Sequence, residues 1–544
     1  MKPQLEKANG KWQMAKLTAQ FGCYFLLFSL YILLSASCST QRTDLRSLAP
    51  AETLIYLETN DLGKMLQAVT QTKSFQQLAR LTPNFSNFKN IQVAVIVTGF
   101  ETSEKQITDE SAILNFKPRF AIVADTHAWE STAVSLVENQ LAQFIKENYG
   151  DETKLEKSNK NGAEFYAWTV NDGRKIFASV LDSIVYLANE ETIIDKCLAV
   201  KKGNGENLLK NENLARAREK VSGENLAFGY IASDGIAQLA NLAGVSAAID
   251  ASEEDLVRSF IAKVLPTILR QTAKEAAWTA RKTESGIEDK ISIKVDSEIL
   301  GVWKETLIPK SDSDFQSAQF LPTEVNLFTR YNLQNPQIAW RSVLLTASKP
   351  LDAVSGKILA EASGSFFEPY GVADIESFLS AVGSEIVTVR FDEEGDESAV
   401  IAEIKDAEKL KKSLTDEIKF KAQTAPNLWQ SADKTLSAAI VENCLILGET
   451  ESVLKSLQAK ESGKNFTKSE YFQRFANNNA VTVTFAKDLE TAEKLVEVLS
   501  QPKGENKKLT GFYLTETRFD ASGIERKTVS DFGLIGTIIK QFAK

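Results

Sequence analysis

The sequence predicts an α+β fold with an internal duplication, each half a largely antiparallel sheet with helices packed on one face. Three observations predict it. Residues 178–199 (ASVLDSIVYLANEETIIDKCLA) and 438–459 (AAIVENCLILGETESVLKSLQA) align without a gap. Strand-then-helix units flank both stretches in the same order. Each half then ends on alternating runs around one shared tetrapeptide, Ser285-Gly286-Ile287-Glu288 and Ser522-Gly523-Ile524-Glu525.

In the aligned stretches a β-rich run meets a two-residue polar turn, Asp182-Ser183 or Glu442-Asn443. A second apolar run follows, Ile184-Val185-Tyr186-Leu187 or Cys444-Leu445-Ile446-Leu447, and then a helix. Two-residue turns join antiparallel strands, so the fold is not a purely parallel βαβ array. Upstream, Pro50 opens PAETLIYLETNDLGKMLQAV, a strand that passes through Asn60-Asp61 into a helix. Pro322 opens PTEVNLFTRYNL in the same way. Ile91 to Thr98 answers Glu385 to Phe391, and residues 120–145 answer 398–418, each a strand, a polar cap and a helix. Downstream, Leu226 to Gly244 answers Ala480 to Leu499. Asp234 and Asp488 stand at the helix starts, where a carboxylate accepts bonds from free amides. In the tetrapeptide, Gly286 or Gly523 supplies the positive φ of a tight hairpin.

These landmarks divide the chain into a signal peptide of lipoprotein type or a membrane anchor (1–37), a tether (38–49), a first α+β repeat (50–300), a linker (301–320) and a second α+β repeat (321–544). The first repeat carries an extra helical insertion at about 252–274.

The leader carries the address. Lys2, Lys7, Lys11 and Lys16 precede Phe21–Leu34 (FGCYFLLFSLYILL), which is shorter than the ~20 apolar residues of a comfortable membrane span and matches a signal-peptide core. It ends in Leu34-Ser35-Ala36-Ser37-Cys38, which resembles the lipobox of bacterial lipoproteins. The resemblance makes Cys38 the lipidation site and the first residue of the mature chain. Ser35 departs from it, standing where an aliphatic residue is usual. Ordinary cleavage near Ser37 and an uncleaved single transmembrane helix over residues 21–40 are the alternatives. All three put the body outside the cytoplasm, in the bacterial cell envelope and beside a membrane. Of the other cysteines, Cys23 leaves with the leader. Cys197 and Cys444 each align with a hydrocarbon in the other repeat, which points to buried free thiols.

The leader, the Leu-Pro-x-Glu opening at Leu321-Pro322, the hairpin–helix unit and the duplication together resemble a bacterial group of secreted proteins known as domain-of-unknown-function family 3352. That resemblance agrees with an extracytoplasmic protein and carries no catalytic residues.

Composition excludes one class of partner. The formal net charge is -9, and nucleic-acid binding requires a clustered basic face. The candidate patches, Lys409, Lys411 and Lys412, and Lys503, Lys507 and Lys508, are interleaved with acids and polar residues.

Candidate chemistry is sparse. The single histidine, His127, lies after a strand beside a helix start and reads as a surface or capping residue. Two Ser-x-x-Lys matches, Ser431/Lys434 and Ser452/Lys455, have the spacing of serine acyl-enzymes, but the supporting Lys-Thr-Gly element is absent. The acidic run Asp392, Glu393, Glu394, Asp396 and Glu397 has oxygen ligands for calcium and reads as a solvated turn. No catalytic, cofactor or metal residue is therefore assigned. The expected function is a non-catalytic, membrane-anchored envelope lipoprotein that binds a protein or an apolar ligand. The alternatives are an envelope hydrolase using carboxylates and a periplasmic lipid or lipoprotein carrier.

Overall fold

A computed structural model describes residues 42–541 apart from 109–110, 172, 220, 222–223, 252–254, 312–314, 393–396, 417, 419–422, 426, 477–478, 489 and 504–510. The leader and Cys38 lie outside the described residues. The protein is mixed α and β, as expected, and among the described residues its strands form a large antiparallel sheet of twenty strands. The first ten are β1 (Ile55–Thr59), β2 (Gln92–Thr108), β3 (Ser111–Asp125), β4 (Lys154–Lys160), β5 (Ala163–Thr169), β6 (Lys175–Leu181), β7 (Ile184–Ala188), β8 (Ala227–Ile231), β9 (Ala273–Thr283) and β10 (Gly286–Val295). The second ten are β11 (Leu327–Asn332), β12 (Val382–Arg390), β13 (Ser398–Ile404), β14 (Gln423–Ala425), β15 (Leu428–Gln430), β16 (Leu436–Val441), β17 (Cys444–Glu449), β18 (Thr482–Asp488), β19 (Gly511–Phe519) and β20 (Gly523–Ser530).

From its outer edge inward the first series runs β4-β5-β6-β7-β3-β2-β1-β8-β9-β10. The second runs β14-β15-β16-β17-β13-β12-β11-β18-β19-β20, the same order. The two series meet edge to edge, β10 against β20, antiparallel and centred on Lys290 opposite Lys527.

That seam explains the repeated tetrapeptide. Lys290 Nζ lies 2.6 Å from Glu525 and Lys527 Nζ lies 2.8 Å from Glu288, one ion pair on each side of the central lysines. Gly286 (φ +143°) and Gly523 (φ +148°) adopt backbone conformations that side chains disfavour. A Cβ at Gly286 would stand 2.2 Å from the Ser530 carbonyl oxygen, and one at Gly523 2.0 Å from that of Ile293. Each glycine therefore serves its own hairpin and also admits the opposite strand.

The two-residue turns form where the sequence puts them, between β6 and β7 and between β16 and β17. Asp182 (φ +56°) and Glu442 (φ +54°) take the left-handed conformation of a tight hairpin. A lysine at the end of each following helix holds the turn acid: Lys201 lies 3.5 Å from Asp182, and Lys460 2.7 Å from Glu442.

Packing of helices on one face does not hold. Successive strand residues point to opposite faces, and both faces are buried in each half. Tyr56, Ile96, Val123 and Tyr186 pack under Leu45, Leu48, Ile194 and Leu198. On the other face Val93, Ile122, Val185 and Leu187 pack under Leu66, Phe75, Leu136 and Val137. In the second half Phe328, Val389, Ile401 and Ile446 lie under Phe320, Val453 and Phe466, and Val400, Leu445 and Leu447 under Phe378, Leu379 and Leu410. The continuous apolar runs of β7 and β17 are the mark of strands covered on both sides.

The tether and linker are also part of the fold. Leu45, Leu48 and Ala49 are buried before β1. The helix Ser297–Thr306 runs into the expected linker, and Trp303 donates from Nε1 to Thr346 Oγ1 at 3.0 Å. Ser317, Ala318 and Phe320 are buried before β11. Between β8 and β9 run two helices, Ser233–Ala251 and Asp255–Thr272, packed so closely that a Cβ on Gly244 would meet Pro266 at 2.3 Å. Between β18 and β19 stands one helix, Thr491–Leu499, with Asp488 accepting the Thr491 N–H at 3.1 Å. The halves also exchange their closing helices. Ile535 and Ile539 pack with Leu66 and Phe75 of the first half, while Ile299 and Trp303 pack with Ala339 and Val481 of the second.

Candidate functional site

The residues singled out by sequence turn out to be occupied structurally. His127 (φ +52°) belongs to a buried network and not to the surface. Its main-chain N–H donates to Asp125 Oδ1 at 2.9 Å, and its Nε2 lies 3.1 Å from Gln92 Oε1. Asp125 is 2 % exposed and accepts hydroxyl protons from Ser183, at 2.8 Å, and from Thr43. Gln92 accepts the Thr43 N–H at 2.8 Å and donates to the Thr43 carbonyl at 2.9 Å. The network clamps the segment that leads into β1.

Neither Ser-x-x-Lys pair makes a nucleophile with a base. Ser452 is buried and its hydroxyl donates to Glu449 at 2.9 Å, while Lys455 is paired with Glu397. Ser431 donates to Asp433 at 2.6 Å in a turn where Lys434 has φ +62°. Of the acidic run, Glu393, Glu394 and Asp396 lie outside the described residues, and Asp392 accepts the Glu397 N–H at 3.2 Å. Lys411 pairs with Glu408. Lys503 Nζ donates to the carbonyls of Gln76 and Gln77 at the end of the helix Lys73–Leu78, a favourable place for a cation. Lys507 and Lys508 lie outside the described residues. Cys197 and Cys444 are free and buried. Burial pushes their thiols up to about 12 and about 11, so neither is a ready thiolate. Among the described residues no group of three or more His, Cys, Asp or Glu side chains could hold a metal ion.

Among the described residues a cleft lies elsewhere, at the end of the sheet in the second half, with a volume of about 580 Å³. Its walls come from the segment before β11 (Lys310), the loop into the helix Pro336–Ser348 (Gln334, Asn335) and that helix's first turn (Gln337), the start of β12 (Gly383, Ser384), and the end of β13 with the residue after it (Glu403, Lys405). Two main-chain bonds and one side-chain bond hold the rim. Lys405 donates its N–H to Ala381 at 2.8 Å, Gln334 donates to Ile308 at 2.8 Å, and Asn332 Nδ2 donates to the Lys310 carbonyl at 3.0 Å. The register of β12 against β13 shifts between Val382 and Ile386, which opens the sheet here. A Cβ on Gly383 would stand 2.2 Å from Glu403 Oε2, so glycine lets that carboxylate lie along the strand.

Sequence reasoning missed Lys310, Glu403 and Lys405. The available signal was a carboxylate in the last turn of an otherwise apolar core strand. Glu403 pairs opposite Cys444, as Asp125 pairs opposite Ile184, and the ungapped alignment superimposes Cys444 on Ile184.

No protein-family model matches the chain, and no curated protein matches it. Among solved structures, one described as crystal form I of TP0453 aligns with 48% of this chain and 81% of its own, at 8% identity and a TM-score of 0.24. That likeness is too slight to carry an argument about fold or function.

Proposed function

We propose that this chain is a non-catalytic lipoprotein of the bacterial envelope, held to a membrane through Cys38, with a binding role in its second half. The anchor reading rests on the apolar run ending in Ala36-Ser37-Cys38. No helix among the described residues is long and apolar enough to cross a membrane. The binding role rests on one observation above others: a cleft whose lining includes Lys310, Lys405 and Glu403. Polar walls suit a hydrogen-bonding ligand or a protein segment better than a lipid, which favours binding over the carrier. Glu403 is the one carboxylate in that lining, whereas a carboxylate hydrolase uses a pair.

Mass spectrometry of the mature N-terminal peptide tests the anchor. A diacylglyceryl adduct on Cys38, and loss of membrane association in Cys38→Ala, are expected. A chain that still begins at Met1, or an unmodified Cys38, refutes it.

We also infer that the halves descend from one duplicated ten-stranded unit. The identical strand order and a seam centred on Lys290 opposite Lys527 support this, as does the tetrapeptide on each side of the seam.

A further inference from the structure

We infer that the second-half cleft binds a zwitterionic, peptide-like molecule, one bearing carboxylates and a free ammonium group, with Lys310 and Lys405 meeting the carboxylates and Glu403 the ammonium. This deepens the binding role proposed above and rests on it. The inference comes from comparing one strand end in the two halves. In the first half the acid at the end of β3, Asp125, is 2 % exposed and receives protons from Thr43, Ser183 and the His127 main chain. Its charge is met by the protein itself.

At the matching end of β13, Glu403 is only half-buried and lines an open cleft. Among the described residues it receives no hydrogen bond and forms no ion pair. The Glu403 carboxylate is therefore reachable from the cleft and open to donors from a ligand. Lys310 and Lys405 are exposed and likewise form no ion pair among the described residues, so their ammonium groups are open to a ligand. Two cationic residues and one anionic residue therefore line one cavity. Charges of both signs reject a simple hydrocarbon and select a ligand with complementary groups. Gln334 and Ser384 add neutral hydrogen-bonding capacity. The volume of about 580 Å³ is sufficient for a short peptide.

Isothermal titration calorimetry on the full-length protein in detergent micelles tests this with the dipeptide alanyl-glutamate, its N-acetyl derivative and inorganic phosphate. The free dipeptide is expected to bind, and N-acetylation to weaken it on the order of tenfold, the effect of losing one charge-assisted bond. Glu403→Gln should abolish that discrimination, leaving both peptides equally weak. Lys405→Gln should weaken both peptides alike and flatten the salt dependence. No binding of the dipeptide, equal binding of the free and acetylated forms to the unmodified protein, or phosphate binding as tightly as the dipeptide overturns the proposal. The comparison on unmodified protein stands even if a variant does not fold. Any of these failures leaves the Cys38 anchor standing, and failure of the anchor leaves the dipeptide result standing.

Discussion

Gly523→Val is expected to destabilise the protein by more than about 3 kcal/mol, or to prevent folding, because two separate costs fall on one atom. The first is local: a β-branched residue at φ +148° is strained in any surroundings. The second is the approach of the other half, since the new Cβ would stand 2.0 Å from the Ile293 carbonyl oxygen, which is main chain in β10 and cannot swing aside. Relief requires opening the seam, where β10 and β20 pair from Ile287 opposite Ser530 to Lys294 opposite Gly523. Gly286→Val should behave alike, because its Cβ would meet Ser530 across the same seam. The double variant should cost less than the sum of the two, since opening the seam once relieves both. Gly463→Ala is the control. Gly463 has φ +67° with open space around it, so alanine there should cost only about 1 kcal/mol. Denaturant midpoints measure all four. A Gly523→Val protein within 1 kcal/mol of the parent would refute this account of the seam.

Much of this fold was legible because it rests on local geometry. The hairpins at Asp182 and Glu442 need a left-handed residue, and the helix starts at Asp61 and Asp488 need an acceptor for free amides. Such requirements leave marks within a few residues. The second buried face was legible in principle, since Ile184 to Leu187 has no polar alternation, but a continuous apolar run does not name what covers each side. The seam was half visible: the glycines appeared as hairpin residues, while their contact with the opposite strand depends on residues more than two hundred positions away. The cleft was least visible. Lys310 and Lys405 belong to different elements, and nothing local to either distinguishes it from a solvated lysine.

The same difficulty hides a buried charge whose sign is reversed between the halves. β1 carries Glu58, whose carboxylate accepts the Tyr56 hydroxyl proton at 2.6 Å and lies 2.5 Å from Arg218. At the matching register β11 carries Arg330, fully buried, with Nε 3.0 Å and Nη2 2.9 Å from Glu385 Oε2. Arg330 also donates from Nη1 to the Phe475 carbonyl at 3.0 Å and lies 4.7 Å from the Phe315 ring centre. The other carboxylate oxygen of Glu385 accepts the Ser317 N–H at 3.0 Å. Removing one partner leaves a buried charge without its counter-ion, and that uncompensated charge dominates the cost. Arg330→Met is therefore expected to lose about 3–5 kcal/mol, because the buried Glu385 carboxylate loses the Arg330 guanidinium. Replacing both, as Arg330→Met with Glu385→Leu, should recover a large part of that loss, because no charge then remains buried. A double-mutant cycle by chemical denaturation measures the coupling. If the double variant loses as much as the sum of the single ones, the pair has no mutual compensation and the packing of Arg330 among the aromatic rings carries its contribution instead.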